Sequence, residues 1–414
     1  MPRLWAPNIE EVLPENDVNY KSVFVPKTLE IFPRYLLCLS PGDRILSPRP
    51  LPEGFCAYIA RVSGLGPVTS WLMEVKGGSD PYSLAESTLA DTDVMRQLKV
   101  MGRSGGWTLE PFIESPRILR LSRETGIPTD KTRPDLVLNG TVTRFNDKGY
   151  FKDFAKRLGV ATVPGYIADS MPALEKAIGL TTGGHEGRAM LRKTLYGGGL
   201  GNLSGTPGSL LEEIQIWYNG GRVLIEPFLP PHSVAGSLAA VTADGVRFRG
   251  VDLQTFADGK WTGFDFPHPD AALARRIEEL TLRLAEAAAA EGARGYLNFD
   301  WACSGGEPLS LECNMRNNGF AYVLDFAAGY FGGPRLIRYR EGVKTRAADT
   351  RDLVEALSSV TAGGRPLLIA ERGQDEGAVI MTPPLRGACS IAIFGKTHDY
   401  IREATLKLAE EAGL

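Results

Sequence analysis

The sequence is poor in the residues that carry most recognisable chemistry. Its five cysteines (Cys38, Cys56, Cys303, Cys313 and Cys389) are scattered, odd in number and never spaced as CxxC. That argues against a disulfide framework and a zinc site, and each reads as a small buried apolar residue. The four histidines (His185, His232, His268 and His398) fall in loop-like contexts without metal-ligand spacing. No Ser-His-Asp or Cys-His pairing can be argued, so covalent catalysis by the protein is not expected. Charge of one sign is also lacking. A net charge of −3 gives no electrostatic case for nucleic acid or an anionic membrane, so any phosphate contacts must come from a local site. No apolar run reaches the length of a membrane span, and there is no internal repeat or low-complexity tract beyond an alanine-rich patch in 270–291. The opening MPRLWAPNIEEVLPEN has neither a basic n-region nor an apolar h-region, which points to a reducing cytoplasm.

What is there is an ordinary globular composition, 43% hydrophobic and 23% charged over 414 residues, long enough for two to four domains. Residues 1–30 are polar and proline-rich and read as an arm or irregular edge. YLLCLS (35–40) before Pro41-Gly42 reads as a buried strand ending in a turn. FCAYIARVSG and SWLMEV read as strand or short helix around it. SPRILRLSRETGIPT (115–129) reads as a helix with a glycine stop, and the whole of 1–140 as an α/β domain.

From 146 the pattern sharpens. Asn146 or Asp147 is a helix cap, Phe151, Phe154 and Leu158 share a face, and Gly159 is the stop. Residues 160–166 read as a strand, 172–180 as a helix and 187–193 as a strand running into TLYGGGLGNLSG. A helix (LLEEIQIWYNG), a strand (RVLIEPFL), two strands around Ala243-Asp244-Gly245 and a helix over 270–291 follow. GYLNFDWAC and PLSLECNMR are two more strands, and 335–414 adds two or three helices and at least two strands as a small α/β appendage.

Three segments carry chemistry. Strand alternation puts Leu297, Phe299 and Trp301 on one side of GYLNFDW and Asn298 and Asp300 on the other. In LSLECNMR it puts Leu309, Leu311, Cys313 and Met315 opposite Ser310, Glu312, Asn314 and Arg316. Paired as a hairpin, the strands bring Asp300 and Glu312 together with Asn314. That is a hard oxygen site suited to Mg²⁺ or Mn²⁺, with Arg316 beside it to stabilise developing charge. A merely solvated strand face has the same pattern and is common. Second, Lys193 precedes a glycine-rich run whose backbone N–H groups can close over phosphates. No Gly-Lys-Ser/Thr ends it, so it is no Walker loop, and a flexible surface loop is the plain alternative. Third, VLIEPFLP ends an apolar strand at Glu226 and a bend, where backbone groups can bond a purine edge. Pro227 keeps only its carbonyl, so Leu229 would have to donate.

Together these elements resemble the ATP-grasp superfamily over about 146–330. Asn146-Asp147-Lys148 with GVATVP is similar to the opening of the family's first subdomain, whose lysine contacts ATP phosphates. Lys193 with Tyr196, Gly197, Gly198, Gly199, Leu200 and Gly201 is similar to the second lysine and its glycine lid. Glu226, Pro227, Phe228 and Leu229 resemble the adenine hinge. Asp300, Glu312, Asn314 and Arg316 resemble the metal ligands and following arginine of the E-x-N-x-R signature. Two departures stand: the first metal carboxylate is an aspartate, and no acidic residue follows Glu226 at the usual distance for the ribose, leaving His232 or Ser233.

A domain carrying YLLCLSPGD, a helix like SPRILRLSRETGIP and a small C-terminal domain further resemble the peptide ligases of pheganomycin-type biosynthesis. The resemblance implies an α/β pre-ATP-grasp domain over 1–145 and an ATP-grasp domain over 146–334. The latter divides into a lid subdomain at about 160–225 and a metal-binding subdomain at about 226–334, with a small α/β domain over 335–414. It implies a Mg-ATP-dependent ligase joining a small-molecule carboxylate to an amine, amino acid or peptide through an acyl phosphate, in peptide natural-product biosynthesis. Lys193 and Arg316 are the implied catalytic residues, and a homodimer is compatible with it. A phosphotransferase that stops at a phosphorylated product and a non-catalytic nucleotide-binding protein are the rival readings.

Overall fold

The computed structural model of the chain describes residues 1–12, 30–76, 83–181, 184–197, 201–229, 232–257 and 259–411. Strands Arg3–Ala6 (β1), Arg44–Ser47 (β2), Leu72–Glu74 (β3) and Thr108–Pro111 (β4) form a parallel sheet in the order β3-β2-β1-β4. Leu4 and Leu46 are buried in one cluster with Leu98, Ile118 and Leu121 of the helices Thr92–Ser104 and Pro116–Thr125. The second helix is capped by the Ser115 side chain, which accepts the Ile118 N–H, and stops at Gly126 in the left-handed region.

Two expectations fail here. The expected N-terminal arm contains β1, which lies inside the sheet. The few residues between Pro2 and Pro7 are too short a run to show a period, and a parallel strand buried on both faces does not alternate. The YLLC of YLLCLS ends a 3₁₀ helix, Phe32–Cys38, every residue of which is buried. A short buried apolar run carries no period that separates strand from helix.

A second, antiparallel sheet contains Tyr166–Ala168 (β5), Ala189–Lys193 (β6), Asn202–Gly205 (β7) and Val223–Pro227 (β8) in the order β5-β8-β6-β7. Helices Met171–Leu180 and Pro207–Trp217 bury Leu174, Ile178, Leu210 and Ile214 with Leu191, Val223 and Ile225 of the sheet. The strand expected over 160–166 is displaced. Pro164 cannot donate to a ladder, and only Thr162 makes a bridge, to Ser310, before β5 begins at Tyr166.

The largest sheet collects Ser233–Thr242 (β9), Gly245–Ala257 (β10), Lys260–Phe266 (β11), Gly295–Cys303 (β12), Leu309–Asn314 (β13) and Leu336–Lys344 (β14). A two-residue pair, Thr361–Ala362 (β15) and Arg365–Pro366 (β16), stands apart; Gly377–Leu385 (β17) and Ala388–Gly395 (β18) complete the large sheet. Its order is β13-β12-β9-β10-β11-β14-β18-β17, so strands from beyond residue 335 continue the sheet that carries the polar hairpin. One face is covered by helix Ala271–Ala290, where Thr281, Ser237 and the Trp301 indole form a buried hydrogen-bond chain. Helix Lys148–Arg157, capped by Asp147, sets Phe151 on Phe299 of that face. The other face carries the polar residues. Beyond them it is covered by Gly319–Phe331, whose Phe320 and Tyr322 pack on Phe264 and Tyr339.

Candidate active site

In the hairpin of β12 and β13, Asn298 stands opposite Asn314, Phe299 opposite Cys313 and Asp300 opposite Glu312. Cross-strand partners share a face, so the two carboxylates meet there. Past Asp300 the register shifts, and Trp301 stands opposite Ser310. The bulge at Leu311 corrects the alternation expected for this strand. Ser310 is buried on the Trp301 side, and the Leu311 carbonyl is free to turn toward β6, where it accepts from Arg192 Nη2 at 3.2 Å.

The Asp300 carboxylate accepts from Gln254 Nε2 at 2.8 Å, Asn298 Nδ2 at 3.1 Å and Asn314 Nδ2 at 3.2 Å. Asn314 Nδ2 lies 3.3 Å from Glu312 Oε1 as well. Gly236 stands opposite Asp300 on β9; a Cβ there would meet Asp252 and Gln254 side-chain atoms at 2.7 and 2.9 Å, so glycine is what lets Gln254 reach across. Burial and the adjacent Glu312 push Asp300 well above the usual carboxylate range. For Glu312 burial acts the same way, but Lys148, Arg192 and Arg316 outweigh it and hold the carboxylate low.

Lys148 is buried, its Nζ bonded to the Tyr196 carbonyl and 3.2 Å from Glu312 Oε2. Burial lowers its ammonium, and Glu312 opposes that. Arg316 donates to Asn146 Oδ1 and lies against Gly197, where a Cβ would come within 2.8 Å of its Nη2. Lys193 is apart from the carboxylates. Its Nζ bonds Asn219 and lies 5.2 and 5.1 Å from the Tyr196 and Trp217 ring centroids. Its N–H donates to Gly201 O at 2.9 Å, and Gly201, at φ +69°, leaves no room for a Cβ beside Lys193. Gly198 and Gly199 lie outside the described residues.

The Glu226 side chain turns inward, taking the Lys152 ammonium on one oxygen and Arg192 Nη2, at 2.7 Å, on the other. Phe228 uses both backbone groups inside the protein: its N–H donates to Arg188 O and its carbonyl accepts from His185 N–H. Pro227 has no N–H. Of the four expected hinge residues, Leu229 keeps an N–H that no described residue accepts.

The expected residues Lys148, Asp300, Glu312, Asn314 and Arg316 therefore converge, whereas Lys193 and the 226–229 segment stand on the small sheet. Sequence reasoning misses Lys152 and Arg192. Lys152 lies one helical turn after Lys148, and Arg192 immediately precedes Lys193 with its side chain on the opposite face of β6, so periodicity could have found both. Gln254 comes from two strands away and has no local signal. Among the described residues no three His, Cys, Asp or Glu side chains group as a metal cage. Two facing carboxylates suit a hard cation that takes its other ligands from water and phosphate, and rotation of the Asn314 amide, whose nitrogen now bonds both, would present its oxygen to that cation. The donor set therefore fits Mg²⁺.

Residues 32–127 match the family described as Pre ATP-grasp domain. No curated protein sequence matches the chain. Among solved structures, N5-carboxyaminoimidazole ribonucleotide synthetase from Thermus thermophilus superposes with a TM-score of 0.58 at 17% identity, over 100% of this chain and 99% of that one. Biotin carboxylase from Campylobacter jejuni, in a β-γ-ATP complex, gives 0.61 at 10% identity, over 99% and 91%. N5-carboxyaminoimidazole synthase from Aspergillus clavatus, with ADP and 5-aminoimidazole ribonucleotide, gives 0.54 at 10%, over 98% and 96%. The chain thus carries a pre-ATP-grasp domain and has the mixed α/β fold of the ATP-grasp ligases.

Proposed function

We propose that the chain is a Mg-ATP-dependent carboxylate–amine ligase that forms an amide or peptide bond, of the kind used in peptide natural-product biosynthesis. One observation carries this reading. Asp300 and Glu312 stand opposite each other on a half-buried face, with Lys148, Arg192 and Arg316 around them. Relatives of the same fold whose structures hold ADP or ATP support it.

Asp300, Glu312 and Asn314 would hold Mg²⁺, with Mn²⁺ as a substitute, and the ion, when bound, neutralises phosphate charge. Lys148 and Lys193 take ATP phosphates in exchange for their present partners, and Gly197, Gly198, Gly199 and Gly201 let backbone N–H groups approach. The segment Glu226, Pro227, Phe228 and Leu229 lies under the adenine, with Leu229 as donor. The chain holds a substrate carboxylate near Arg316, where its oxygen attacks the γ-phosphorus and ADP leaves. The amine then attacks the acyl carbon, the carbon–oxygen bond to phosphate breaks, and phosphate departs with that oxygen. The amine's proton goes to phosphate or water. Arg316 stabilises the tetrahedral oxyanion, and the rest of catalysis is positioning.

The test is ADP release from pools of amino acids and short peptides, with products read by mass spectrometry. Release that requires both a carboxylate and an amine, with a new amide mass, is expected. Release with a carboxylate alone and no amide would make the protein a phosphotransferase.

A further inference from the structure

The sheet face that carries Asp300 continues past it. Gln254, bonded to Asp300, stands opposite Phe264, and Phe264 opposite Tyr339. The 3₁₀ helix Phe32–Cys38 of the pre-ATP-grasp domain brings Arg34 onto this stretch, 4.8 Å above the Tyr322 ring and 5.4 Å from that of Tyr35. Only 6% of Arg34 is exposed, yet its polar contacts are poor. Nη1 is 3.6 Å from Glu341 Oε2, Nη2 is 3.5 Å from the Tyr35 hydroxyl, and Nε has no hydrogen-bond partner among the described residues. Beside it the buried Tyr322 hydroxyl has only that of Tyr339 to interact with among the described residues. Arg192 also has an unpartnered Nε, but its Nη2 holds Glu226 at 2.7 Å, and Arg316 donates to Asn146; Arg34 has no polar contact that close among the described residues.

A guanidinium taken out of water with unsatisfied N–H groups is costly, and an arginine fork matches a carboxylate in shape and charge. We infer that Arg34, over Tyr322, is the receptor for a second, non-reacting carboxylate of the substrates. This rests on the ligase reading and narrows it. If that carboxylate sits on the amine, the acceptor is an amino acid or peptide; if on the donor, the donor is a dicarboxylate. Glu341 is the group the ligand carboxylate displaces.

The full chain saturated with Mg-ADP is titrated by ligand-observed NMR with three pools: the standard L-amino acids, their α-amides, and succinate with glutarate. At least one acid binds, and its amide binds about tenfold more weakly or worse. Arg34→Lys, which keeps the charge but not the fork, weakens the acid by about tenfold. Glu341→Gln, which removes a competitor, tightens it, a gain that a purely structural arginine would not show. Unfolding midpoints of both variants serve as the folding control. Amino-acid binding assigns the carboxylate to the acceptor, and binding of dicarboxylates alone assigns it to the donor. Equal binding of acids and amides, no acid binding at all, or wild-type affinity in Arg34→Lys would overturn the proposal. ADP release is followed separately. Acid binding without turnover in any pool refutes the ligase reading and leaves the Arg34 site standing.

Discussion

Glu226 is a buried glutamate of the small sheet and Glu312 a half-buried one of the large sheet, and their surroundings differ in kind. Glu226 gives one oxygen to Lys152 and the other to Arg192, so its charge is met within the protein. Glu312 meets Lys148 at 3.2 Å and Arg192 at 3.6 Å but also stands opposite Asp300, a second carboxyl with only amide donors around it. In the first cluster both carboxylate oxygens are taken by the chain's own cations. In the second the chain's cations stand on the Glu312 side and amide donors on the Asp300 side, the side that takes the metal in the proposed reading.

The largest expected effect breaks the comparison directly. Asp300→Asn and Glu312→Gln should each cut ATP turnover by more than roughly 100-fold, with the fold kept. Glu226→Gln should cost about 3–5 kcal/mol of stability, because it takes the carboxylate from buried Lys152 and leaves Arg192 only its longer contact to Glu312. Steady-state ADP release beside chemical unfolding checks both. A Glu226→Gln protein as stable as wild type, or a turnover-competent Glu312→Gln, would erase the distinction.

Arg316→Lys should come next. Nucleotide affinity is retained while amide formation falls by roughly 10–100-fold, since an ammonium lacks the guanidinium fork. Measured nucleotide affinity against product yield separates the two, and equal losses in both would return Arg316 to a structural role.

The smallest effect is a pH dependence confined to the second cluster. Asp300 is pushed up to about 7 by burial and by Glu312. Without metal the folded chain holds a proton there that the unfolded chain releases near pH ~4, so stability falls as pH rises from about 4 to 7. Mg²⁺ needs the ionised carboxylate, so its affinity should rise toward pH 7 and then level. Asp300→Asn should flatten both profiles. A flat Mg²⁺ titration in wild type would mean that Asp300 does not carry the proton.

The hairpin is legible in sequence because strand alternation is local: a few residues of β12 and β13 suffice to put Asp300 and Glu312 on one side. The Leu311 bulge is not, since it depends on Ser310 donating its N–H to Ala161 O from a distant segment. Helix Lys148–Arg157 and helix Pro116–Thr125 announce themselves through Asp147, Ser115 and Gly126. Strand β1 and the 3₁₀ helix Phe32–Cys38 do not: the helix is buried throughout and β1 from Leu4 to Ala6, so neither shows the polar side of a period. The same limit hides Arg34, Gln254 and Gly236, which matter only through strands and helices far away in the chain.

In the proposed mechanism a carboxylate oxygen passes to phosphorus and leaves with it. With both carboxylate oxygens of the donor labelled with ¹⁸O, single-turnover product analysis by mass spectrometry should find one labelled oxygen in the released inorganic phosphate and one in the amide. An amide formed with unlabelled phosphate and the label in AMP would mean adenylation, and would contradict the acyl-phosphate mechanism even with the fold unchanged.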